Sequence, residues 1–166
     1  MHHLELERVS SLEGIQYLTE ATSLELSYCR QLRDLSPLAS LTNLTSLHLV
    51  ICKQVRDLSP LGSLSNLIAL VLLHCTAVQD LSPLASLTSH TTLNLSSCEQ
   101  VRDLSPLTSL TKLTTLDLRY CTAVQDLSPL ASLANLTSLN LKGCEQVTDL
   151  ESLKPLRKLK KLTTPQ

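Results

Sequence analysis

The apolar residues of this chain fall on a fixed beat. In Leu44–Asn66 they stand at unit positions 1, 4, 6, 9, 12, 15, 18 and 21: Leu44, Leu47, Leu49, Cys52, Val55, Leu58, Leu61 and Leu64. The step from Leu47 to Leu49 is the alternation of a short strand, whose side chains point to opposite faces in turn. The later step of three is that of a tight 3₁₀-like or helical return. Ser59-Pro60 fits the start of that return, with Ser as N-cap and Pro as first helical residue. Each unit is predicted to be a strand, a turn and a return segment.

The unit repeats. Cys29, Cys52, Cys75, Cys98, Cys121 and Cys144 recur at one constant interval, and Asp34, Asp57, Asp80, Asp103, Asp126 and Asp149 keep the same interval. So do Pro37, Pro60, Pro83, Pro106 and Pro129, and the last unit has Glu151-Ser152 in place of Ser-Pro. No single unit can bury its leucines, so the units must stack and share one aliphatic core. The reading is one domain over residues 1–166, with a degenerate unit at 4–20, six full units at 21–158 and a partial unit at 159–166. The first unit, with Leu4, Leu6, Val9, Leu12, Ile15 and Leu18, is shorter by three in its turn. The charged C-terminal stretch suits a terminal cap.

The motif L-x-x-L-x-L-x-x-C-x-x-V-x-D-L-S-P-L-x-x-L resembles the leucine-rich repeats, over residues 4 to 162. It is most similar to the short units of bacterial internalins, which carry a similar D-I-S-P-L return. Those units usually have Asn where this chain has Cys and usually run one residue shorter. The resemblance implies an α/β solenoid, a horseshoe with a parallel sheet on its concave face and short 3₁₀ or helical returns on the convex face. It also implies protein–protein binding on the concave side.

Composition agrees with a repetitive core. Leucine supplies 42 of 166 residues, with no Phe, no Trp and three Tyr. The formal net charge is −1, which excludes the basic face that nucleic acid or an anionic membrane demands. Five of the 14 basic residues, Lys154, Arg157, Lys158, Lys160 and Lys161, crowd the last 13 positions and read as a solvated cap. No apolar run has the length of a membrane helix or the form of a signal peptide, so a cytoplasmic location is expected. Sheet edges at the two ends leave a monomer or an end-to-end oligomer open.

The periodic polar residues read as structure. Thiols recurring once per unit form a line, which suits neither a tetrahedral metal site nor, with the side chains aligned, disulfides. A buried thiol ladder with each S–H meeting a backbone carbonyl is expected. The aspartates are expected to accept backbone N–H groups in the turn before each return, helped by Arg33, Arg56 and Arg102 beside them. Ala21 and His90 replace the first leucine of their units, and His90 reads as a tolerated, partly exposed substitution.

Function must lie in residues between and after the strand leucines, which alternation turns to the concave face. Val50, Ile51, Val71 and Leu73 are apolar where other units are polar, bordered by Tyr28, His48 and His74. Such a patch marks a partner-binding surface. Asp117, Arg119 and Tyr120 form a second candidate, with the residue types that interface hot spots favour. The expected function is a noncatalytic protein-interaction scaffold for a protein or peptide, with no cofactor, no metal, no nucleic acid and no membrane. The alternative is a recognition fragment of a larger immune-type or host-interaction protein. An enzyme built on His48 and His74 is the weakest reading: Ser and Asp recur as repeat residues, whereas catalytic residues are singular.

Overall fold

A computed structural model describes residues 2–166. Eight parallel strands form one open sheet in chain order: β1 (His3–Glu7), β2 (Ser23–Ser27), β3 (Ser46–Val50), β4 (Ala69–Leu73), β5 (Thr92–Asn94), β6 (Thr115–Asp117), β7 (Ser138–Asn140) and β8 (Lys161–Thr163). The register never slips: Leu4, Leu24, Leu47, Leu70, Leu93, Leu116, Leu139 and Leu162 lie side by side. A one-residue slip would turn every leucine to water, and so the constant repeat length fixes the pairing. The first pairing, His3 to Ser23, carries the shortened first turn.

Seven 3₁₀ segments return the chain, five of them Ser-Pro-Leu-x-Ser runs such as Ser59–Ser63. Between sheet and returns one hydrophobic cluster runs from Leu12 to Leu156. Each fully buried leucine in it contributes about 1.5–3 kcal/mol relative to exposure.

Polar ladders run along the stack beside this core. The thiols of Cys52, Cys75, Cys98, Cys121 and Cys144 approach the carbonyls of Leu26, Leu49, Leu72, Leu95 and Leu118 at 3.5, 3.4, 3.1, 3.1 and 2.9 Å. All six cysteines are free and buried. Burial raises the Cys98 thiol, pushes Cys121 up to about 12 with help from the neighbouring Cys144, and pushes Cys144 up to about 11. These are inert neutral thiols. Ser63, Ser86, Ser109 and Ser132 donate their hydroxyls to carbonyls of the preceding return. Asn43, Asn66 and Asn135 donate amides to Thr19, Thr42 and Thr111 in the same way.

Two expectations about local structure need correction. Serine does not cap the returns: the 3₁₀ segment begins at the serine itself, and no side-chain cap bond comes from the preceding leucine. The aspartate two residues before the serine takes that part. Ser36, Ser59, Ser82, Ser105 and Ser128 donate their N–H to Asp34, Asp57, Asp80, Asp103 and Asp126 at 2.8 Å, and Glu151 donates to Asp149 at 2.7 Å. The serine hydroxyl and N–H together hold Asp34, Asp57 and Asp103 below the usual carboxylate range, and at Asp126 the N–H leads. Among the described residues no ion pair joins Arg33, Arg56 or Arg102 to these carboxylates.

The second correction concerns His90. It is fully buried, not partly exposed. Its Nδ1 lies 3.2 Å from the Leu87 carbonyl, while Nε2 is buried without a partner. Burial lowers its pKa and favours the neutral ring. The neighbouring Ser89 also interrupts the asparagine ladder, since it makes no bond back to Ser65.

Candidate functional site

Alternation leaves unit positions 3, 5 and 7 on the side of the sheet away from the core. Position 5 forms the row Glu5, Glu25, His48, Val71, Asn94, Asp117, Asn140 and Thr163. Its chemistry divides the sheet in two. β1 to β4 run for five residues, whereas β5 to β7 stop after three. The cause is the side chain at position 5. Asn94, Asp117 and Asn140 accept the N–H of Ser96, Arg119 and Lys142 at 2.8, 3.0 and 3.1 Å. That local bond turns the backbone out of the strand. Glu25, His48 and Val71 have no such short acceptor to offer, and their strands continue.

At position 8 every full unit, and the first, turns left-handed. Arg8, Tyr28, Ile51, His74, Ser97, Tyr120 and Gly143 have φ between 55° and 75°. Only Gly143 adopts this without steric cost; in L-residues it costs roughly 1–2 kcal/mol, and a β-branched residue such as Ile51 is a genuine outlier. The turn sets Tyr28, Ile51, His74 and Tyr120 along one rim of the sheet face. The signal in the sequence was Gly143 alone, which occupies the position with the residue that its geometry favours.

The apolar patch comes together on adjacent strands. Val50 pairs with Leu73, and Val71 lies beside His48. Val50, Ile51, Val71 and Leu73 are half-buried, less exposed than the sequence suggested. Sequence reasoning missed Ile68, 44% exposed at the entry to β4. Other units carry Thr there, and Thr45, Thr114 and Thr137 use the hydroxyl to bond the preceding unit's Thr22, Thr91 and Thr114 carbonyls. Ile68 has no hydroxyl. Ala69, Val71 and Leu73 make β4 apolar at every position of the open face, and Ile68 stands exposed just before the strand.

His48 is tied into this face. Its Nδ1 stands 3.8 Å from Glu25 Oε2 and its Nε2 lies 3.3 Å from Ser46 Oγ. Ser27 donates to Glu25 Oε1 at 2.9 Å. The residue opposite His48 on β4 is Val71, and His74 stands three residues beyond it at the exposed rim. The structure does not set the two imidazoles opposite each other. No group of three His, Cys, Asp or Glu among the described residues is arranged to hold a metal ion.

The second candidate is an internal clamp. Arg119 Nε lies 3.0 and 2.9 Å from the two Asp117 oxygens, and its Nη2 lies 2.9 Å from Oδ2. Both charges are therefore satisfied within the chain. Tyr120, 46% exposed, rests against the backbone of Gly143: a Cβ there would fall 2.4 Å from the tyrosine Cδ1. Tyr28 is 43% exposed at the same rim position two strands from the patch's centre.

Stacked units of constant length, one parallel sheet and 3₁₀ returns define a leucine-rich repeat solenoid. Residues 91–132 and 111–155 match the family of Leucine Rich repeats (2 copies). Internalin C2 of Listeria monocytogenes is 35% identical over 98% of this chain and 70% of its own, with a TM-score of 0.78. Another internalin of Listeria monocytogenes is 31% identical, with a TM-score of 0.79 over 99% of this chain. The chain spans only 47% of that protein's length. The leucine-rich repeat domain of the type III effector XopL shares the fold at 19% identity and a TM-score of 0.75. No curated protein sequence matches significantly. The chain belongs to the leucine-rich repeat proteins of the internalin type. Such repeats generally mediate protein–protein interaction.

Proposed function

We propose that the chain is a protein-binding scaffold whose partner docks on the open face of the sheet, centred on β3 and β4. The observation that carries this is the apolar row Ala69, Val71 and Leu73 on β4, continued by Val50 and Ile51 and flanked by strands with polar faces. An apolar strip rimmed by polar groups is the form of a contact surface. Tyr28, Ile51 and His74 border this strip at the rim of the open face.

The mechanism is burial of partner side chains against Val50, Val71 and Leu73, with Tyr28 and Tyr120 as outlying aromatic contacts. Catalysis has no part in it. The test is capture of partners by the wild type, by Val71→Glu and by Arg56→Glu, once circular dichroism shows all three folded. Losing about 2–3 kcal/mol of apolar burial weakens binding roughly 30- to 150-fold. The expected result is a partner kept by Arg56→Glu and lost by Val71→Glu. Undiminished binding by a folded Val71→Glu chain overturns the reading.

A further inference from the structure

The charges on the open face are sorted by strand. Glu5, Glu7 and Glu25 stand on β1 and β2 at the face positions. From β3 to β5 the same positions carry no Asp, Glu, Lys or Arg, and His48 lies against Glu25. On β6 the Asp117–Arg119 pair cancels. Beyond it Lys142 and Lys161 are exposed and cationic. The arginines at the acidic end, Arg8 and Arg30, lie beyond the strands and outside these rows, Arg8 at the left-handed rim position. Going across the strands, the face is therefore acidic, then apolar, then basic.

We infer that the partner presents an extended segment lying across the strands, with a cationic residue at one end, an apolar anchor in the middle and an anionic residue at the other. This rests on the docking reading above and names the chemistry of what docks. Strands lie about 4.8 Å apart, which puts the acidic edge on β2 two steps, about 10 Å, from Val71 on β4. Lys142, just past the end of β7, is three strand steps away, about 14 Å. An extended segment advances about 3.3 Å per residue. The cation thus falls about three residues from the anchor on one side, and the anion about four on the other. Charge ordering of this kind fixes register and rejects segments of uniform charge.

The test is selection of a random dodecapeptide library, displayed on phage, against the full chain, against Val71→Glu and against the double variant Glu5→Lys with Glu25→Lys. Glu5 is exposed and Glu25 half-exposed, and Glu25→Gln serves as a milder second variant. Expected are wild-type binders with opposite charges on the two sides of an apolar anchor at about these spacings. They should lose at least roughly tenfold in affinity on the double variant and weaken with salt. Binders lost on Val71→Glu but lacking the charge order overturn this inference and leave the docking reading standing. Binders that Val71→Glu retains, or no binders at all, overturn both.

Discussion

His90→Leu should make the protein more stable, and the gain should depend on pH. The ring is fully buried, and its Nε2 has no partner. An unsatisfied buried polar group costs about 1–3 kcal/mol. The bond from Nδ1 to Leu87 is lost in the variant, but the Leu87 carbonyl keeps the His90 backbone N–H at 3.1 Å. Leucine occupies the equivalent position at Leu44, Leu67, Leu113 and Leu136, all fully buried, so the site accepts its shape. The net gain is about 1–2 kcal/mol, a rise in Tm of about 2–8 °C for a chain of this size. The sign of the pH effect follows from burial. The folded-state pKa lies below 6.5, so the unfolded chain takes up the proton first and wild-type stability falls as pH drops through about 6.5. His2, His3 and His74 are exposed and His48 is half-buried; they remain in both proteins and cancel in the comparison. Urea unfolding of both proteins from about pH 7.5 to pH 5 measures the difference. A less stable variant at neutral pH, or a difference that does not grow below about pH 6.5, refutes the reasoning.

Three further outcomes follow from the ladders and the rim. The six thiols should resist an aromatic disulfide reagent at pH 8 in the native state and all react after denaturation; rapid native labelling of any one contradicts their burial. Asp103→Ala should lower stability at neutral pH, because the Ser105 N–H loses its acceptor. The folded-state pKa of Asp103 is depressed, so its contribution is present above 3.8 and disappears as pH falls through the folded value; acid titration of variant and wild type should therefore converge. Gly143→Ala should cost about 1–2 kcal/mol for its left-handed φ and displace Tyr120, read as a change in the near-ultraviolet dichroism of a chain with no Trp.

The architecture was legible because one period carries it. A single interval sets the strand register, the thiol ladder and the aspartate ladder at once, and the observed pairings follow it at every full unit. Local competition between polar groups was less legible. Ser and Asp both cap chain ends well, and only geometry shows that the aspartate, two residues upstream, reaches the free N–H. The shortening of β5 to β7 comes from Asn94, Asp117 and Asn140, residues that look interchangeable with other face-lining polar groups until their backbone bonds are seen. His90 looked peripheral because imidazole is polar, yet the repeat's register overrides that preference and draws it into the core. Ile68 was visible as a break in a column of threonines, and it stands exposed at the entry of β4.

Methyl-labelled NMR with a selected peptide tests docking on the open face most directly. The methyl signals of Val50, Val71 and Leu73 should shift on titration, while those of Leu61, Leu84 and Leu107 in the returns should stay in place. Shifts confined to the returns, with Val71 unmoved, would contradict it.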